Sequence, residues 1–166
     1  MNAAFGVVEF DVSQVDRVEP LFKGLVEFHR EVVEGAWPVR DLEAAWAHRR
    51  AEYVEWLSGG TARMLVAVPA GEEGAAPRGY AVLGIKSSSA SWDVGERIGE
   101  LETLAVDEEA RGEGIGSLLV EACRELLRAE GISHWGVAVV EANEGATRLY
   151  ERVGFRPFYR QLLAEV

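Results

Sequence analysis

A glycine-rich turn joins an apolar strand to an amphipathic helix in the second half of this sequence. The turn spans residues 111–116, with the sequence Arg-Gly-Glu-Gly-Ile-Gly. Before it, residues 101–106 are typical of a short strand that ends in a loop. After it, apolar residues at helical spacing predict a helix with one buried face, and Gly131 follows as its left-handed cap. The apolar residues of that face are Ile115, Leu118, Leu119, Ala122, Cys123, Leu126 and Leu127.

The turn has the features of an anion-binding loop. Its three glycines remove the side chains that would keep a ligand away from the backbone. The helix that follows directs its unpaired N–H groups and the positive end of its dipole at the same place, which favours a phosphate. Arg111 adds a fixed positive charge. The residues expected to contact the ligand are Arg111, Gly112, Glu113, Gly114, Ile115, Gly116 and Ser117.

Two common phosphate-binding motifs do not fit this loop. A Walker loop needs a lysine and then Ser or Thr after its last glycine, whereas Gly116 is followed by Ser117 and Leu118. A dinucleotide fingerprint has the spacing G-x-G-x-x-G, whereas the spacing here is G-x-G-x-G. Both ATP-type and NAD-type readings are therefore disfavoured.

The composition limits the classes of protein to which the chain can belong. With 166 residues, of which 48% are hydrophobic, residues 1–166 are expected to form a single domain. The net charge of −11 disfavours nucleic acid and anionic membranes as partners, and it is compatible with a cationic substrate. The three histidines have no other ligand at metal-binding spacing, so we expect no metal site.

Cysteine usage and hydropathy suggest a cellular compartment. The single cysteine excludes an intrachain disulfide, which fits a reducing environment. No signal peptide is evident in the first residues, and no apolar run is long enough to span a bilayer. We therefore expect a cytoplasmic protein with no membrane partner.

The order of the remaining elements predicts an α/β fold. Ser13 and Asp16 resemble a capping box for a first helix, in which Pro20 marks either the true start or a kink, and Asp41 is expected to cap a second. The predicted strands cover residues 5–12, 62–69, 78–86, about 97–106, 132–140 and 154–164, and a short helix covers 143–152. A mixed, mostly antiparallel sheet of about six strands, with helices on both faces, follows from this order.

Two motifs resemble those of the GCN5-related N-acetyltransferase (GNAT) family. The first is Arg-x-x-Gly-x-Gly at residues 111–116, after a strand that ends Leu-x-Val. The second is Asn143-x-x-Ala146-x-x-x-Tyr150-Glu151-x-x-Gly154-Phe155. Two motifs in the right order are more specific than either alone. The resemblance extends over the whole chain and is strongest from residue 100 to residue 155.

The resemblance implies acetyl-coenzyme A as co-substrate. The loop amides would hold its pyrophosphate, and the backbone of Leu104, Ala105 and Val106 would pair with the pantetheine arm like an added strand. One N–H group would remain for the oxyanion of the tetrahedral intermediate. Asn143 would hydrogen-bond the pantetheine, and Ala146 would allow its close approach.

The implied reaction is direct acetyl transfer to a primary amine, which needs a base and an acid. Alternation along the strand predicts one face for Glu100, Glu102, Leu104 and Val106, with Leu101 and Thr103 on the other. Either glutamate is a candidate base, because burial would raise its pKa. Glu100 is slightly favoured by its match to the family. Alternatively, the glutamates lie at a solvated strand end or bind a cationic substrate.

Tyr150 matches the tyrosine of the second motif that often protonates the departing thiolate. The alternative is a packed tyrosine whose hydroxyl is satisfied locally. For the acceptor, Trp37, Trp92 and Tyr159 are candidates to enclose an apolar or cationic group, although packing alone also explains each of them. The amine itself, whether of a small molecule or of a peptide, stays open.

Three further hypotheses remain at this point. A non-catalytic acyl-coenzyme A sensor or interaction module would have the same loop, and a nucleotide-binding regulatory domain is a weaker alternative. Members of the family commonly end with two strands after the Gly-Phe pair, whereas this chain has room for one. A homodimer that covers the open sheet edge is the hypothesis this suggests.

Overall fold

Five strands form one sheet in chain order. A computed structural model describes residues 4–72 and 74–166. Strands β1 (Phe5–Phe10), β2 (Ala62–Pro69), β3 (Gly79–Ser87) and β4 (Arg97–Val106) pair antiparallel, and β5 (Trp135–Val137) pairs parallel to β4. The helices are α1 (Glu19–Val33), α2 (Leu42–Ser58), α3 (Ile115–Ala129) and α4 (Glu144–Arg152). The mixed sheet, the 62–69 and 78–86 hairpin and the strand–loop–helix unit are confirmed.

The first helical region is capped by Asp11, two residues before the predicted cap Ser13. A 3-10 helix (Val12–Val18) precedes α1, and its capping box is made by Asp11 and Gln14 rather than by Ser13 and Asp16. The Asp11 side chain accepts from the Ser13 amide at 2.8 Å, and the Gln14 side chain accepts from the Asp11 amide at 3.2 Å. Pro20 then lies in the first turn of α1, where its missing N–H breaks no helical bond.

Each face of the sheet carries its own core. On one face, α1 and α2 cover the α2-side core, which includes Phe22, Trp46, Tyr53, Met64, Val66, Tyr80, Val82 and Ala105. On the other face, α3 and α4 cover the α3-side core, which includes Leu83, Leu101, Ile115, Leu119, Cys123, Leu127 and Tyr150. The prediction of helices on both faces is confirmed, and the sheet separates the two cores.

The C-terminal strands are shorter or fewer than predicted. The strand expected over residues 132–140 is limited to Trp135–Val137, and Val139 is 39% exposed. The closing strand expected over residues 154–164 is absent, since residues 155–166 form no regular element. A strand needs a paired neighbour, and β5 separates from β4 after three paired residues, so the backbone beyond it has no ladder to extend.

Candidate active site

A gap opens between β4 and β5. Strand β4 pairs with β3 along its whole length, but it pairs with β5 only from Gly99 to Leu101. The β5-facing edge of Leu104, Ala105 and Val106 therefore has no strand partner in the part of the chain that the structure describes. An open edge of this kind can take up an extended ligand through main-chain hydrogen bonds.

The glycine loop lies beside this gap, at the start of α3. Gly112 and Gly114 have φ values of 84° and 85°, and nothing lies within 4 Å of the position that a Cβ would occupy on either residue. Several backbone N–H groups of the loop donate to no acceptor among the described residues. They are those of Gly112, Gly114, Ile115, Gly116 and Ser117. The Ile115 side chain is buried in the α3-side core, so its amide alone can face a ligand.

Gly116 has a different role from the other two glycines of the loop. A Cβ on Gly116 would stand 3.2 Å from Cδ2 of Leu149 in α4. This glycine therefore lets the first turn of α3 pack closely against α4. The close approach brings the two motifs found in the sequence together.

Arg111 and Phe28 connect the loop to α1. The exposed Arg111 places its guanidinium carbon 4.9 Å from the centre of the Phe28 ring, a cation–π contact. This contact places the guanidinium of Arg111 against α1. Glu113, next to it, is exposed, and Ser117 is half-buried.

Asn143 combines two functions at the start of α4. Its Oδ1 accepts from the Ala146 amide at 3.0 Å and caps the helix. The side chain is largely buried, and its Nδ2 group donates to no acceptor among the residues described. Both N–H donors of this amide are therefore left over by the described residues, beside the half-buried Ala146.

A β-bulge in β4 changes which side chains share a face. Val82 pairs with Thr103 and Leu83 pairs with Leu101, so that Glu102 is an extra residue opposite β3. The single face predicted for Glu100, Glu102, Leu104 and Val106 is therefore wrong. Leu101, Leu104 and Val106 pack in or against the α3-side core, whereas Thr103 and Ala105 lie on the α2 side.

The bulge directs Glu102 towards α2. Its Oε1 atom lies 3.2 Å from where a Cβ on Gly84 would stand, and Gly84 faces α2 because its neighbours Leu83 and Ile85 face α3. Burial raises the pKa of the Glu102 carboxyl, and the negative charge of Glu100 raises it further. A carboxylate with a raised pKa is better suited to accept a proton near neutral pH.

Glu100 lies in a different electrostatic environment. Its side chain forms an ion pair with the ammonium group of Lys86 across β3 and β4. The ion pair occupies the carboxylate of Glu100, which leaves it less free to contact a substrate amine. The two candidate bases of the sequence are thus distinguished by their partners.

Tyr150 lies in the α3-side core with only 8% of its surface exposed. Its ring packs edge-to-face on Phe155 at 5.6 Å, and its hydroxyl makes no hydrogen bond to the described residues. Burial raises the pKa of Tyr150 to about 12. The hydroxyl therefore stays protonated near neutral pH and has a proton to donate.

The three aromatic residues proposed for the acceptor do not form one wall. Trp92 packs edge-to-face on Phe158 at 4.9 Å, and Tyr159 packs on the same ring at 5.6 Å. Trp37 is 44% exposed and makes no ring contact in the described part of the chain. The structure thus groups Trp92 with Tyr159 and leaves Trp37 apart.

Helix α2 supplies site residues that sequence analysis did not assign. Arg49 places its guanidinium carbon 5.7 Å from the centre of the Tyr53 ring, and its Nη1 lies 3.1 Å from Glu52 Oε2. The charges of Arg49 and Glu52 both act on the pKa of Glu102, Arg49 lowering it and Glu52 raising it. No local motif marks these residues, because packing of α2 on the sheet brings them to β4.

Two other kinds of feature are absent from residues 4–72 and 74–166. No cluster of three or more His, Cys, Asp or Glu side chains in those ranges has the arrangement of a metal site. Within the same ranges, no helix has the length and apolar character needed to cross a membrane. Cys123 is buried, and burial raises its pKa to about 12, as in an unreactive core thiol.

Comparison with known proteins decides the family. The model of the Acetyltransferase (GNAT) family matches residues 27–155, which include the gap, the loop and both motifs. The chain belongs to the GNAT family of acetyltransferases. The resemblance of the two motifs is thereby confirmed, and the GNAT fold explains the parallel pairing through α3 in an otherwise antiparallel sheet.

Individual relatives are similar over different parts of this GNAT chain. A mycothiol acetyltransferase of Salinispora tropica is 36% identical over 125 residues, which are 74% of this chain and 35% of that protein. The chain thus spans about a third of the length of that relative. A glucosamine 6-phosphate N-acetyltransferase of Trypanosoma brucei brucei is 31% identical over 41% of this chain and 44% of its own length.

Solved structures agree with the fold over nearly the whole chain. A GCN5-related N-acetyltransferase from Ralstonia eutropha JMP134 has a TM-score of 0.75 at 22% identity, covering 97% of this chain and 98% of its own.

Proposed function

We propose that this GNAT protein transfers an acetyl group from acetyl-coenzyme A to a primary amine of a small molecule or peptide. The observation that carries the proposal is the gap between β4 and β5, with unpaired loop amides at one end. Glu102 borders it from the α2 side and Tyr150 belongs to the core of the other side.

The residues around the gap fit acetyl-coenzyme A. The free amides at the start of α3 suit a pyrophosphate, and Arg111 adds a charge that can follow it. The open edge of Leu104 to Val106 suits the amide groups of a pantetheine arm, as does the Nδ2 group of Asn143. Among the solved structures with the same fold, the aminoglycoside N-acetyltransferase AAC(6')-Iy was determined in complex with coenzyme A. Its similarity is a TM-score of 0.72 at 16% identity, over 98% of this chain and 94% of its own.

Glu102 is the base that we favour. An alkylammonium with a pKa of about 10 must lose a proton before it attacks. The Glu102 carboxylate takes this proton, directly or through a water molecule, and passes it to solvent. Glu100 is the weaker candidate because its carboxylate is already paired with Lys86.

Tyr150 is the acid that completes the transfer. The amine nitrogen attacks the thioester carbon, and a backbone N–H of β4 stabilises the oxyanion. The C–N bond forms, the C–S bond breaks, and the Tyr150 hydroxyl gives its proton to the thiolate. The second proton of the nitrogen then replaces the one that Tyr150 lost, so that the products are the N-acetyl amine, coenzyme A and one proton.

An assay of thiol release tests the proposed function. Purified protein and acetyl-coenzyme A are incubated with aminoglycosides, amino sugars, diamines and a peptide with a free N-terminus. We expect coenzyme A to be released only when a suitable amine is present. Because Cys123 is buried, it should contribute little background to thiol detection. Calorimetric binding of coenzyme A without release for any amine would instead favour the acyl-coenzyme A sensor.

Replacing Tyr150 with phenylalanine should lower kcat by about 10- to 100-fold, because the departing thiolate loses its proton donor. The hydroxyl makes no hydrogen bond to the described residues, so the melting temperature should stay close to that of the wild type. The dissociation constant for coenzyme A, measured by calorimetry, should also be unchanged. Wild-type kcat in this variant would remove Tyr150 from the mechanism.

A further inference from the structure

Three hydroxyl groups lie together in the core beneath the bulge of β4. The Tyr53 hydroxyl donates to Thr103 Oγ1 at 2.7 Å, and it lies 3.1 Å from the Tyr80 hydroxyl. Tyr53 and Tyr80 have no exposed surface, and Thr103 is 5% exposed. Buried polar groups destabilise a core unless they are hydrogen-bonded. The three hydroxyl groups are hydrogen-bonded to one another, and such a buried network can hold the elements that carry it in one arrangement.

The chain of hydroxyls connects three elements at the point where β4 is irregular. Tyr53 belongs to α2, Tyr80 to β3 and Thr103 to β4. Thr103 directly follows Glu102, the extra residue of the bulge. A bulge interrupts the strand ladder and redirects a side chain, so its conformation needs support from outside the ladder.

We propose that Tyr53 is a positioning residue for the proposed acetyl transfer: its hydrogen bond to Thr103 fixes the bulge that directs Glu102 towards α2. This inference rests on the proposed function, in which Glu102 is the base. Tyr80 lies beside the Tyr53 hydroxyl on the β3 side but does not contact Thr103 through its hydroxyl. The three residues touch neither the proposed co-substrate site in the loop nor the Tyr150 hydroxyl.

The chemistry of the chain fits an anchor rather than a proton relay. Burial raises the pKa of Tyr53 and raises that of Tyr80 still further, so both hydroxyls stay neutral in the range where the enzyme would work. A neutral hydroxyl can hold Thr103 without adding charge beside Glu102. The charged groups that do act on Glu102 are Glu100 on β4, Lys86 on β3, and Arg49 and Glu52 on α2.

Tyr53→Phe tests the proposal because it removes only the hydroxyl. Displacement of a catalytic group by about 1 Å can lower a rate by about 100-fold, so we expect kcat to fall at least about tenfold. The KM for acetyl-coenzyme A should change less than about twofold, and the acid limb of the kcat/KM profile should move with the altered surroundings of Glu102. Thr103→Val should behave alike, and Thr103→Ser should restore the rate.

Tyr80→Phe is the matched control. It removes a buried tyrosine hydroxyl from the same core but leaves the Tyr53–Thr103 hydrogen bond intact. It should destabilise the fold no more than Tyr53→Phe does, because Tyr53→Phe removes both hydrogen bonds and Tyr80→Phe only one, and it should lower kcat less than about threefold. Equal losses of kcat in the two variants, or wild-type kcat and pH profile in Tyr53→Phe, would overturn the proposal.

A measurement without turnover separates this inference from the proposed function. Amide hydrogen exchange at residues 102–104 should become at least about tenfold faster in Tyr53→Phe than in Tyr80→Phe, with β2 unchanged. If exchange does not differ, the anchoring role is wrong even in an active enzyme. If exchange differs as expected but the wild type transfers acetyl to no amine, Tyr53 anchors the bulge and the proposed function fails.

Discussion

Glu102→Gln is expected to reduce kcat by about 100- to 1,000-fold, because removal of a general base typically has an effect of this size. Glutamine keeps the shape of the side chain beside Gly84 but cannot accept the proton that the substrate ammonium must lose before its nitrogen attacks. Glu100→Gln is the matched variant, and it should lower kcat by less than about tenfold, since its partner Lys86 and not the acceptor occupies that carboxylate. Steady-state thiol release at saturating co-substrate provides the comparison.

The pH dependence of the two glutamine variants identifies the base independently. The base must be deprotonated, so kcat/KM should rise as pH increases through the pKa of Glu102, which lies above the ordinary glutamate value. This acid limb should vanish in Glu102→Gln and remain in Glu100→Gln. The opposite pattern would transfer the role to Glu100.

The raised pKa also has a consequence for stability, which serves as a control. The pKa of Glu102 is higher in the folded than in the unfolded state. Glu102 therefore makes its full favourable contribution to the free energy of unfolding at pH values below the unfolded-state pKa. That contribution is lost as pH rises through the folded pKa. Glu102→Gln, which carries no charge, should therefore melt at the same or a higher temperature than the wild type at neutral pH, so that its low activity cannot be attributed to unfolding.

Gly114→Val should weaken coenzyme A binding by about 100-fold, through loss of charge-assisted hydrogen bonds to the loop. Gly114 has a φ of 85° at the N-cap of α3. A β-branched residue there is strained by about 1–2 kcal/mol and shifts the loop away from this conformation. The N–H groups would then no longer converge on one phosphate. Isothermal titration of coenzyme A into the variant measures the loss.

Gly60→Val provides the control for Gly114→Val. Gly60 also has a positive φ, 68°, and like Gly114 it has no atom within 4 Å of a built Cβ. It lies in the turn between α2 and β2, away from the loop. The two variants should lose similar stability, but Gly60→Val should bind coenzyme A as the wild type does. A loop that binds equally well with valine at position 114 would contradict the proposed role of its amides.

The part of the site that sequence predicts well is the part held by local interactions. The order of strand, loop and helix depends on residues close in the chain, and α3 begins at Ile115 directly after the loop. Gly131 has the left-handed conformation that the cap requires, with a φ of 70°. Spacing and turn chemistry suffice for these features.

The part that sequence does not predict depends on pairing between distant segments. An unbroken strand over residues 100–106 predicts strict alternation of side chains, yet the register with β3 makes Glu102 an extra residue and reverses the faces on its two sides. The position of a bulge is decided by both strands, so one strand alone cannot reveal it. The contacts of Tyr53 and Arg49 with β4 likewise need the packing of α2 on the sheet.

The prediction of a long strand over residues 132–140 is wrong for a related reason. The apolar character of residues 132–140 predicts burial on both faces, which requires a neighbour along the whole strand. Because β5 leaves β4 after Val137, Val139 lies at the surface with 39% of its area exposed. The separation that shortens β5 is also what opens the gap.

The two-sided arrangement of the cores has a consequence for how specificity can change. Glu102 lies on the face of the sheet covered by α1 and α2, whereas Ile115 of the loop and Tyr150 belong to the core covered by α3 and α4. Substitutions in the first layer can therefore exchange one amine for another while the donor half of the reaction keeps its own packing. If the proposed transfer takes place at the gap, the thioester is the one group that has to reach both layers, and each layer can diverge on its own.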